Sequence, residues 1–429
     1  MSELASESLN TVRERPATRR RGCDARDSWD WLDVRAADRE AAGLRRRLWT
    51  REAGHTLVDL AGNDYLGLSN HPEVRAAAVK AVHTWGVGST GSRLVTGTTA
   101  EHTGFEEELA EFLGAEAALV FSSGYLANLG VVTALAGPED LLVSDAQNHA
   151  SVIDACRLSG ARRAVVEHCS PTAVDRALMA AEETKPYRRA YVLTESVFSV
   201  DGDVAPLAAL AEVCRAHGAV LLVDEAHGVG VHGPGGRGGA YAAGLAGAPD
   251  VLLTVTLSKS FGSQGGVVLG PRRVIDHLID TARGFIFDTA LAPASVAGAR
   301  AALRVLRAEP ERAERVAANA LRLHQIALEA GLPASRPSGA VTSVVLGDAE
   351  RTLAAARMCA ENGVRVGCFR PPSVPDGLSR LRLTAGADLS ESDFSRVRAV
   401  LDLIPQGRGT AAETGPDQCV ERSGQRSVV

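Results

Sequence analysis

A run of four aliphatic residues leads directly into an acid, a histidine and a glycine in Val220-Leu221-Leu222-Val223-Asp224-Glu225-Ala226-His227-Gly228. The aliphatic residues are continuous rather than alternating, which is typical of a strand that helices cover on both faces of a parallel sheet. Ligands bind at the carboxyl ends of such strands. The segment therefore predicts an α/β fold with a functional site that includes Asp224 and His227.

The central part of the chain repeats this pattern. Short apolar runs alternate with amphipathic stretches between about residues 115 and 270, which is the order of strands and helices in a mostly parallel sheet. Together with the segment above, we predict an α/β fold whose large domain is built on a mostly parallel, seven-stranded sheet. The other six runs cover residues 117–121, 141–143, 164–166, 190–194, 251–254 and 267–269.

The pattern changes towards both ends of the chain. A long amphipathic stretch over residues 311–330 is followed by alternating apolar runs and helical stretches that indicate a compact α+β module. The two termini are polar and have no period. The sequence predicts a disordered leader (1–28), an N-terminal segment (29–61), a large domain (62–307), a smaller C-terminal α+β domain (308–405) and a disordered tail (406–429).

Composition narrows the class of function. The chain has 429 residues, of which 45% are hydrophobic, and a net charge of -6 that forms no long block, so a small-molecule substrate is favoured over nucleic acid or a membrane surface. The seven cysteines are widely spaced, which argues against zinc or redox pairs. No stretch reaches the roughly 18 apolar residues of a membrane span. We expect a cytoplasmic protein without a metal site.

Lysine is scarce, since only three of the 46 basic residues are lysines. Because guanidinium stays protonated, chemistry that needs a primary amine must use Lys80, Lys185 or Lys259. Lys80 falls on the polar face of a predicted helix, and Lys185 precedes a proline at a helix end. Lys259 follows a predicted strand in Thr254-Val255-Thr256-Leu257-Ser258-Lys259-Ser260-Phe261-Gly262. It is the candidate for a covalent cofactor anchor.

The acid and the histidine of the opening segment suit such a cofactor. Asp-Glu-Ala-His also occurs as a metal-binding box of nucleoside triphosphatases, but that interpretation requires a phosphate loop with a Gly-Lys pair, which the sequence lacks. A carboxylate at a strand end can pair with a pyridinium nitrogen and keep it protonated. Asp224 fits this role and His227 can reach a ring oxygen, with a capping aspartate and a loop histidine as the alternatives.

Other segments carry weaker signals. Phe121-Ser122-Ser123-Gly124-Tyr125 leads from a strand into a helix whose free N-terminal amides suit a phosphate, and an ordinary turn is the alternative. His149 follows another strand and either stacks on a flat cofactor or caps the next helix. The glycine-rich loop over residues 86–98 contains Arg93, which suggests an anionic ligand or a subunit contact.

Arginines flank a rigid turn in the predicted smaller domain. The turn is Phe369-Arg370-Pro371-Pro372-Ser373-Val374-Pro375, and Arg380 and Arg382 follow it. Guanidinium groups bind carboxylates in a bidentate manner, although most exposed arginines bind nothing specific. This region is a candidate for binding a substrate carboxylate.

Taken in order, these segments resemble the α-oxoamine synthases, which are pyridoxal 5'-phosphate (PLP) enzymes of the aspartate-aminotransferase-like fold, fold type I. The resemblance extends over about residues 44–404 and includes Asn63-Asp64-Tyr65-Leu66-Gly67-Leu68, the glycine-rich loop, Asp-Glu-Ala-His-Gly and the Thr-x-x-Lys site. It implies a PLP-dependent C-acyltransferase that works as a homodimer with shared active sites.

The resemblance also implies roles for individual residues. Lys259 would anchor the cofactor, Asp224 would pair with the ring nitrogen, His227 would contact the ring oxygen and His149 would stack on the ring, so that these four are the catalytic candidates. The remaining cofactor contacts would be Gly124, Tyr125, Thr256, Ser199 and, from the second subunit, Thr289. The substrate contacts would be Arg45, His149, Arg370 and Ser373. Asn148 and Ser373 depart from the family pattern, which commonly has serine and threonine there.

Within the family, the glycine-rich loop and the Arg-Pro-Pro-Ser-Val-Pro run are most similar to the members that condense L-alanine with a pimeloyl thioester in biotin synthesis. The thioester is carried on coenzyme A or on a carrier protein, and the sequence does not distinguish them. Glycine-using relatives, such as 2-amino-3-ketobutyrate ligase and 5-aminolevulinate synthase, are the nearest alternative. A ligand-sensing regulator of the same fold is a further class, and the lack of a DNA-binding pattern argues against it.

Overall fold

The structure is a computed structural model that describes residues 29–54, 56–374 and 376–405. The chain divides into two units, one ending at Thr50 and one starting at Arg51. The first unit contains helix α1 (Asp30–Ala41), which the sequence analysis did not predict and none of whose residues is buried. The predicted disordered leader and tail lie outside the described residues.

The second unit alternates strands and helices. Its strands are β1 (Val58–Leu60), β2 (Ala117–Phe121), β3 (Leu141–Asp145), β4 (Arg162–Val166), β5 (Ala190–Glu195), β6 (Val220–Asp224), β7 (Val251–Thr256), β8 (Gly266–Gly270), β9 (Val341–Gly347), β10 (Val364–Phe369) and β11 (Ser379–Thr384). Its helices are α2 (Pro72–Trp85), α3 (Ala100–Leu113), α4 (Gly124–Leu135), α5 (Ala150–Leu158), α6 (Pro171–Thr184), α7 (Leu207–Ala216), α8 (Gly239–Ala242), α9 (Arg272–Thr281), α10 (Arg283–Ile286), α11 (Pro293–Ala308), α12 (Glu311–Glu329), α13 (Ala349–Glu361) and α14 (Glu391–Leu401). None of these described helices has both the length and the apolar character of a membrane span.

Seven strands form one sheet in the order β2-β8-β7-β6-β5-β3-β4. The strands from β3 to β7 pair in parallel, and β8 pairs antiparallel with both β7 and β2. This confirms the predicted mostly parallel, seven-stranded sheet. Each strand includes the apolar run that predicted it and extends at most two residues beyond either end.

Burial on both faces explains why the strand sequences are continuously apolar. In β6, the side chains of Leu221 and Val223 join one hydrophobic core, and that of Leu222 joins the core on the opposite face. The edge strand β4 is the exception, since Arg163 and Val165 are exposed. Helices cover both faces of the inner strands, so only the ends of those strands can meet a ligand.

A second sheet has the strand order β1-β10-β11-β9. Strand β1 belongs to the predicted N-terminal segment, yet it pairs in parallel with β10, with Val58 opposite Val364. The middle strand β11 is buried along its whole length and carries Arg380 and Arg382. The region predicted as an α+β module therefore includes a strand from the beginning of the second unit.

The buried face of helix α2 differs in part from the apolar face that the sequence predicts. Val74 is buried, but Val82 and Trp85, which the sequence pattern placed on the same face, are 38% and 42% exposed. The helix packs on α11 through a narrower strip that includes Val74 and Ala81. Lys80 is exposed, as predicted.

Candidate active site

A cavity of about 260 Å³ lies at the carboxyl ends of β5, β6 and β7. It brings together seven of the residues predicted from the sequence: Gly124, Tyr125, His149, Asp224, His227, Thr256 and Lys259. The other residues that line it are Ser123, Asn128, Ser151, Glu195, Ala226, Thr254, Val255 and Ser258. The seven lie at the ends of β2, β3, β6 and β7, which are far apart in the sequence but meet at one edge of the sheet.

Lys259 supplies a buried primary amine to this cavity. It follows β7, and its Nζ lies 2.8 Å from Nε2 of His227. Burial lowers the pKa of Lys259 to about 8, although the carboxyl groups of Asp224 and Glu195 oppose this shift. At pH 7 about a tenth of the amine is therefore unprotonated and nucleophilic, far more than for an ordinary lysine.

His227 connects the amine to Tyr65. Burial lowers the pKa of His227 well below its usual value, and the charge of Lys259 acts in the same direction, so the ring is neutral. When Nε2 accepts a hydrogen bond from the lysine, Nδ1 carries the ring proton and donates to the Tyr65 oxygen at 2.5 Å. The Tyr65 hydroxyl then donates to Oδ1 of Asn63 at 3.2 Å. This chain of contacts fixes one tautomer of His227.

Asp224 is held by a neutral amide. Asn128 on α4 donates from Nδ2 to Oδ2 of Asp224 at 2.7 Å, and its Oδ1 accepts from the Thr254 hydroxyl at 2.7 Å. The other carboxylate oxygen accepts from the backbone N–H of Ala226 at 2.9 Å. Both donors stabilise an anionic carboxylate at the end of β6.

His149 belongs to the same network. Asn128 also donates to the Ser151 hydroxyl at 2.9 Å, and that hydroxyl lies 2.8 Å from Nδ1 of His149. The backbone N–H of Ser151 donates to the same nitrogen at 3.2 Å, so Nδ1 is an acceptor and Nε2 carries the proton. Burial lowers the pKa of His149, which favours this neutral ring. The histidine thus caps α5, which is one of the two predicted alternatives, and it also lines the cavity; stacking on a cofactor remains a prediction.

The start of helix α4 forms a cradle of backbone amides and hydroxyl groups. The helix begins at Gly124 in the cavity wall, and Ser123 caps it by accepting the N–H of Leu126 at 3.1 Å. A Cβ atom at Gly124 would lie only 3.1 Å from the side chain of Thr256, so glycine keeps this space open. The hydroxyls of Thr256 and Ser258 lie 2.9 Å apart at the same place. Free amides and hydroxyls around an open space suit a phosphate group.

Five predicted residues are not among those that line the cavity within the described part of the chain. The backbone carbonyl of Ser199 accepts from Arg382 at 2.9 Å, Thr289 is exposed, and the N–H of Ser373 donates to the Arg370 carbonyl at 2.9 Å. Arg45 belongs to the first unit, where its guanidinium lies 3.5 Å from Glu40. The roles of all five residues remain predictions.

Arg93 has a structural explanation that the sequence did not indicate. Its guanidinium is buried against Glu106, with Nη1 to Oε1 at 2.8 Å and Nη2 to Oε2 at 3.1 Å, and it also donates to the carbonyl of Val120. This bidentate pair satisfies the cation within the chain. It accounts for Arg93 without the anionic ligand or subunit contact that the loop suggested.

Several residues of the cavity network are not predictable from local sequence. Tyr65 lies inside a quoted motif and Asn128 three residues after another, but neither carries a charge, so nothing local marks them as partners of His227 and Asp224. Glu195 directly follows the run predicted as a strand over residues 190–194 and is not among the predicted site residues. An acid directly after a buried strand was the available signal, and it is the same signal that identified Asp224.

A separate polar cluster lies at the ends of β3 and β4. Donor atoms of Asp145, His168 and Cys169 lie within 4.8 Å of one another. Nδ1 of His168 lies 2.8 Å from Asp145, and Nε2 lies 2.5 Å from Asp203, so carboxylates occupy both ring nitrogens. Hydrogen bonding accounts for the cluster, and His168 has no free nitrogen left for a metal ion.

Comparison with known proteins agrees with this fold and cavity. Residues 55–401 match the family model of class I and II aminotransferases. An 8-amino-7-oxononanoate synthase from Mycobacterium sp. (strain JLS) is 62% identical over 379 residues, which cover 88% of this chain and 97% of the relative. A serine palmitoyltransferase variant from S. paucimobilis with bound PLP has a TM-score of 0.81 at 31% identity, covering 88% of this chain and 98% of its own. An 8-amino-7-oxononanoate synthase from Francisella tularensis has a TM-score of 0.68 at 27% identity, covering 81% and 97%.

The fold and the lysine-bearing cavity define a PLP-dependent enzyme of fold type I. The chain belongs to the class I and II aminotransferase family and, within it, to the α-oxoamine synthases represented by these relatives. This confirms the predicted fold class, cofactor and enzyme class, which is a PLP-dependent acyltransferase.

Proposed function

We propose that this chain condenses L-alanine with a pimeloyl thioester and releases carbon dioxide and the free thiol. The product would be 8-amino-7-oxononanoate, a precursor in biotin synthesis. The observation that carries the proposal is the buried Lys259 amine beside Asp224 and His227, in a chain that is 62% identical to a relative named for this product. The cytoplasmic location and the carrier of the acyl group remain predictions from the sequence.

The cavity fits PLP in each of its chemical parts. Lys259 provides the amine for the aldehyde, Asp224 an anion for the ring nitrogen and His149 a flat ring. The cradle at the start of α4 provides amides and the Thr256 hydroxyl for the phosphate. When bound, PLP withdraws electrons from the bonds at the α-carbon of the amino acid. The protein contributes the orientation of the reactants and the placement of charge.

Lys259 is the proposed general base. Because its pKa is lowered to about 8, the amine can release and take up a proton near neutral pH. Neutral His227 accepts a hydrogen bond from this amine and holds it in place. The base that removes the α-proton of alanine is therefore the same amine that anchors the cofactor.

Arg382 is the proposed partner of a substrate carboxylate, in addition to the predicted Arg370, Ser373 and Arg45. Its guanidinium is buried and donates to Asn63 at 2.7 Å, and its Nε has no hydrogen-bond partner among the described residues. Its positive charge acts on both His227 and Lys259, so it lies close to the cavity. Arg380, two residues earlier, instead pairs with Asp201 and Asp376.

We further propose that two copies of the chain form a homodimer in which Thr289 completes the phosphate site of the other copy. Thr289 is exposed, and its neighbour Phe287 is 71% exposed. The glycine-rich loop bonds to the same region through the N–H of Ala290 and the carbonyl of Gly91, and this loop carries the exposed Val87 and Val95. Exposed apolar side chains on adjoining segments favour a protein interface.

The test is a product assay on the purified holoenzyme with single amino acids and pimeloyl thioester, carried on coenzyme A or on a carrier protein. The C9 aminoketone and carbon dioxide should form with L-alanine and not with glycine. Turnover with glycine and a short acyl thioester, without the C9 product, would favour the glycine-using alternative.

A further inference from the structure

Glu195 is a second carboxyl group inside the cavity, and the proposed mechanism does not use it. It ends β5, lines the cavity and is 2% exposed. In the sheet register it lies directly opposite Asp224 at the end of β6. Two carboxyl groups on adjacent strands in a buried site cannot both be charged without a large electrostatic cost.

The two acids differ in how their oxygens are satisfied. Both oxygens of Asp224 accept hydrogen bonds, from Asn128 and from the backbone of Ala226. For Glu195, the backbone amide of His149 faces the carboxyl group, but Oε1 is buried and has no hydrogen-bond partner among the described residues. A buried anionic oxygen without a donor is costly, whereas a protonated oxygen can itself donate to a bound group.

The charges around Glu195 shift its pKa in opposite directions. Burial raises the pKa of Glu195 well above its usual value and the charge of Asp224 adds to this, while Lys259 opposes it. The lysine amine is directed at His227 rather than at Glu195. The titratable groups that act on Glu195 from the surrounding elements are Tyr65, Asp145, Asp224 and Lys259, and His149 contributes its backbone amide.

We propose that Glu195 is a neutral carboxylic acid in the working enzyme and donates a hydrogen bond from Oε1 to the group bound in the cavity. Asp224 then carries the only negative charge of the pair and remains the anion for the cofactor ring. The identity of the bound group rests on the proposed function, and the neutrality of Glu195 does not. Glu195 contacts the bound group directly in this scheme and is a further binding residue of the cavity.

Glu225 provides a matched control in the same fold. It is also buried, at 1% exposure, and it lies directly after β6. Its carboxylate accepts from the N–H of Ala240 at 2.6 Å, the N–H of Gly239 at 3.1 Å and the hydroxyl of Ser196 at 2.5 Å. Burial raises the pKa of Glu225 as well, but these three donors oppose that shift and favour an acceptor-only anion. Glu225→Gln should therefore destabilise the fold, whereas Glu195→Gln should not.

The direct test is infrared spectroscopy of the PLP-loaded enzyme at pH 7 in water and in deuterium oxide. The wild type should show the carbonyl stretch of a protonated carboxyl group, shifted by deuteration, and Glu195→Gln should lack it. The band should persist in Glu225→Gln. A wild-type spectrum without such a band, or a band that survives Glu195→Gln, would overturn the proposal.

A second test compares variants by the pH titration of the visible absorbance of the bound cofactor. In Glu195→Gln the midpoint should stay within about 0.3 pH units of wild type, since no charge is lost. If Glu195 were ionised, loss of its charge beside Lys259 would lower the midpoint by roughly one unit. Glu225→Gln should instead lower the thermal midpoint, because an NH₂ group would face backbone donors.

The donor role is tested by Glu195→Leu, which is neutral but cannot donate. Condensation should be about tenfold slower than in Glu195→Gln, because one buried hydrogen bond is lost. Equal rates in the two variants would contradict the donor role. The infrared and absorbance measurements need no acyl substrate. An enzyme that shows them but makes no C9 aminoketone would therefore disprove the proposed function and leave the neutral acid intact.

Discussion

Two histidine–carboxylate regions lie along the same edge of the large sheet and are built in opposite ways. In the cluster at the ends of β3 and β4, His168 contacts the carboxylates of Asp145 and Asp203 directly. In the cavity, neither histidine ring contacts a carboxylate through a hydrogen bond that the described residues make: the His227 ring bonds to Tyr65 and Lys259, and the His149 ring to Ser151. Direct contact with two carboxylates favours a charged His168, whereas neutral hydroxyl partners separate the cavity histidines from the carboxylates.

The pKa values follow from this difference. Burial disfavours the charged form of both His168 and His227. At His168 the two carboxylates outweigh burial and raise the pKa to about 12, while at His227 the charge of Lys259 adds to burial and lowers the pKa. The first histidine is a fixed cation that stabilises the fold. The second stays neutral beside an amine whose pKa, at about 8, is near the working pH.

The largest effect is expected from Lys259→Ala. Removal of the amine should abolish the visible band of the anchored cofactor and lower carbon dioxide release by more than about 10³-fold, because no other lysine lies in the cavity. Lys80→Ala and Lys185→Ala are the controls, since both side chains are exposed. A band that borohydride still fixes to the protein after Lys259→Ala would show that another amine is the anchor.

A smaller loss of turnover is expected from Asn128→Ala, which tests whether the neutral Asn128 amide holds Asp224 in place. Asp224 and Thr254 would each lose a hydrogen bond inside the cavity. We expect turnover to fall by about 10- to 100-fold with a native thermal midpoint within a few degrees. Asn319→Ala removes a comparable bond to the Gly386 carbonyl, away from the cavity, and should leave turnover unchanged. Equal effects of the two variants would refute a specific role for Asn128.

The smallest effect on catalysis is expected from His168→Gln, which tests the paired cluster. Loss of two charged hydrogen bonds should lower the free energy of unfolding by roughly 1–3 kcal/mol, measured by urea denaturation, and leave the cofactor absorbance unchanged. His217→Gln, which removes a single contact to Asp175, should have a smaller effect. A changed cofactor spectrum in His168→Gln would show that the two regions are not independent.

This stabilisation should depend on pH in a defined direction. The folded-state pKa of His168, about 12, lies above its ordinary value of 6.5, so folding favours the protonated ring. The stability difference between wild type and His168→Gln should therefore be fully present below pH 6.5 and decrease as the pH rises towards 12. Urea denaturation at pH 6 and pH 9 should show the smaller difference at pH 9. A larger difference at pH 9 would contradict the assigned charge.

Much of the fold was predictable because its signals are local. The seven apolar runs predicted the seven strands, since a strand covered on both faces needs apolar residues at consecutive positions. Strand β1 was not predicted, because three residues over Val58–Leu60 become a strand only by pairing with β10, about 300 residues later. The buried face of helix α2 was predicted only in part for the same reason, because packing against α11 decides which of its faces is buried.

The sequence by itself determined the chemistry of the charged site residues. Lys259 was identified because arginine fills nearly every other cationic position, and Asp224 because an acid follows a buried strand. Only the tertiary structure decided which neutral groups hold them. Tyr65 meets His227 across 162 positions and Asn128 meets Asp224 across 96, and such contacts have no local pattern because the fold alone brings the partners together. The pairing of Glu195 with Asp224 likewise follows from strand register, which is a property of the assembled sheet.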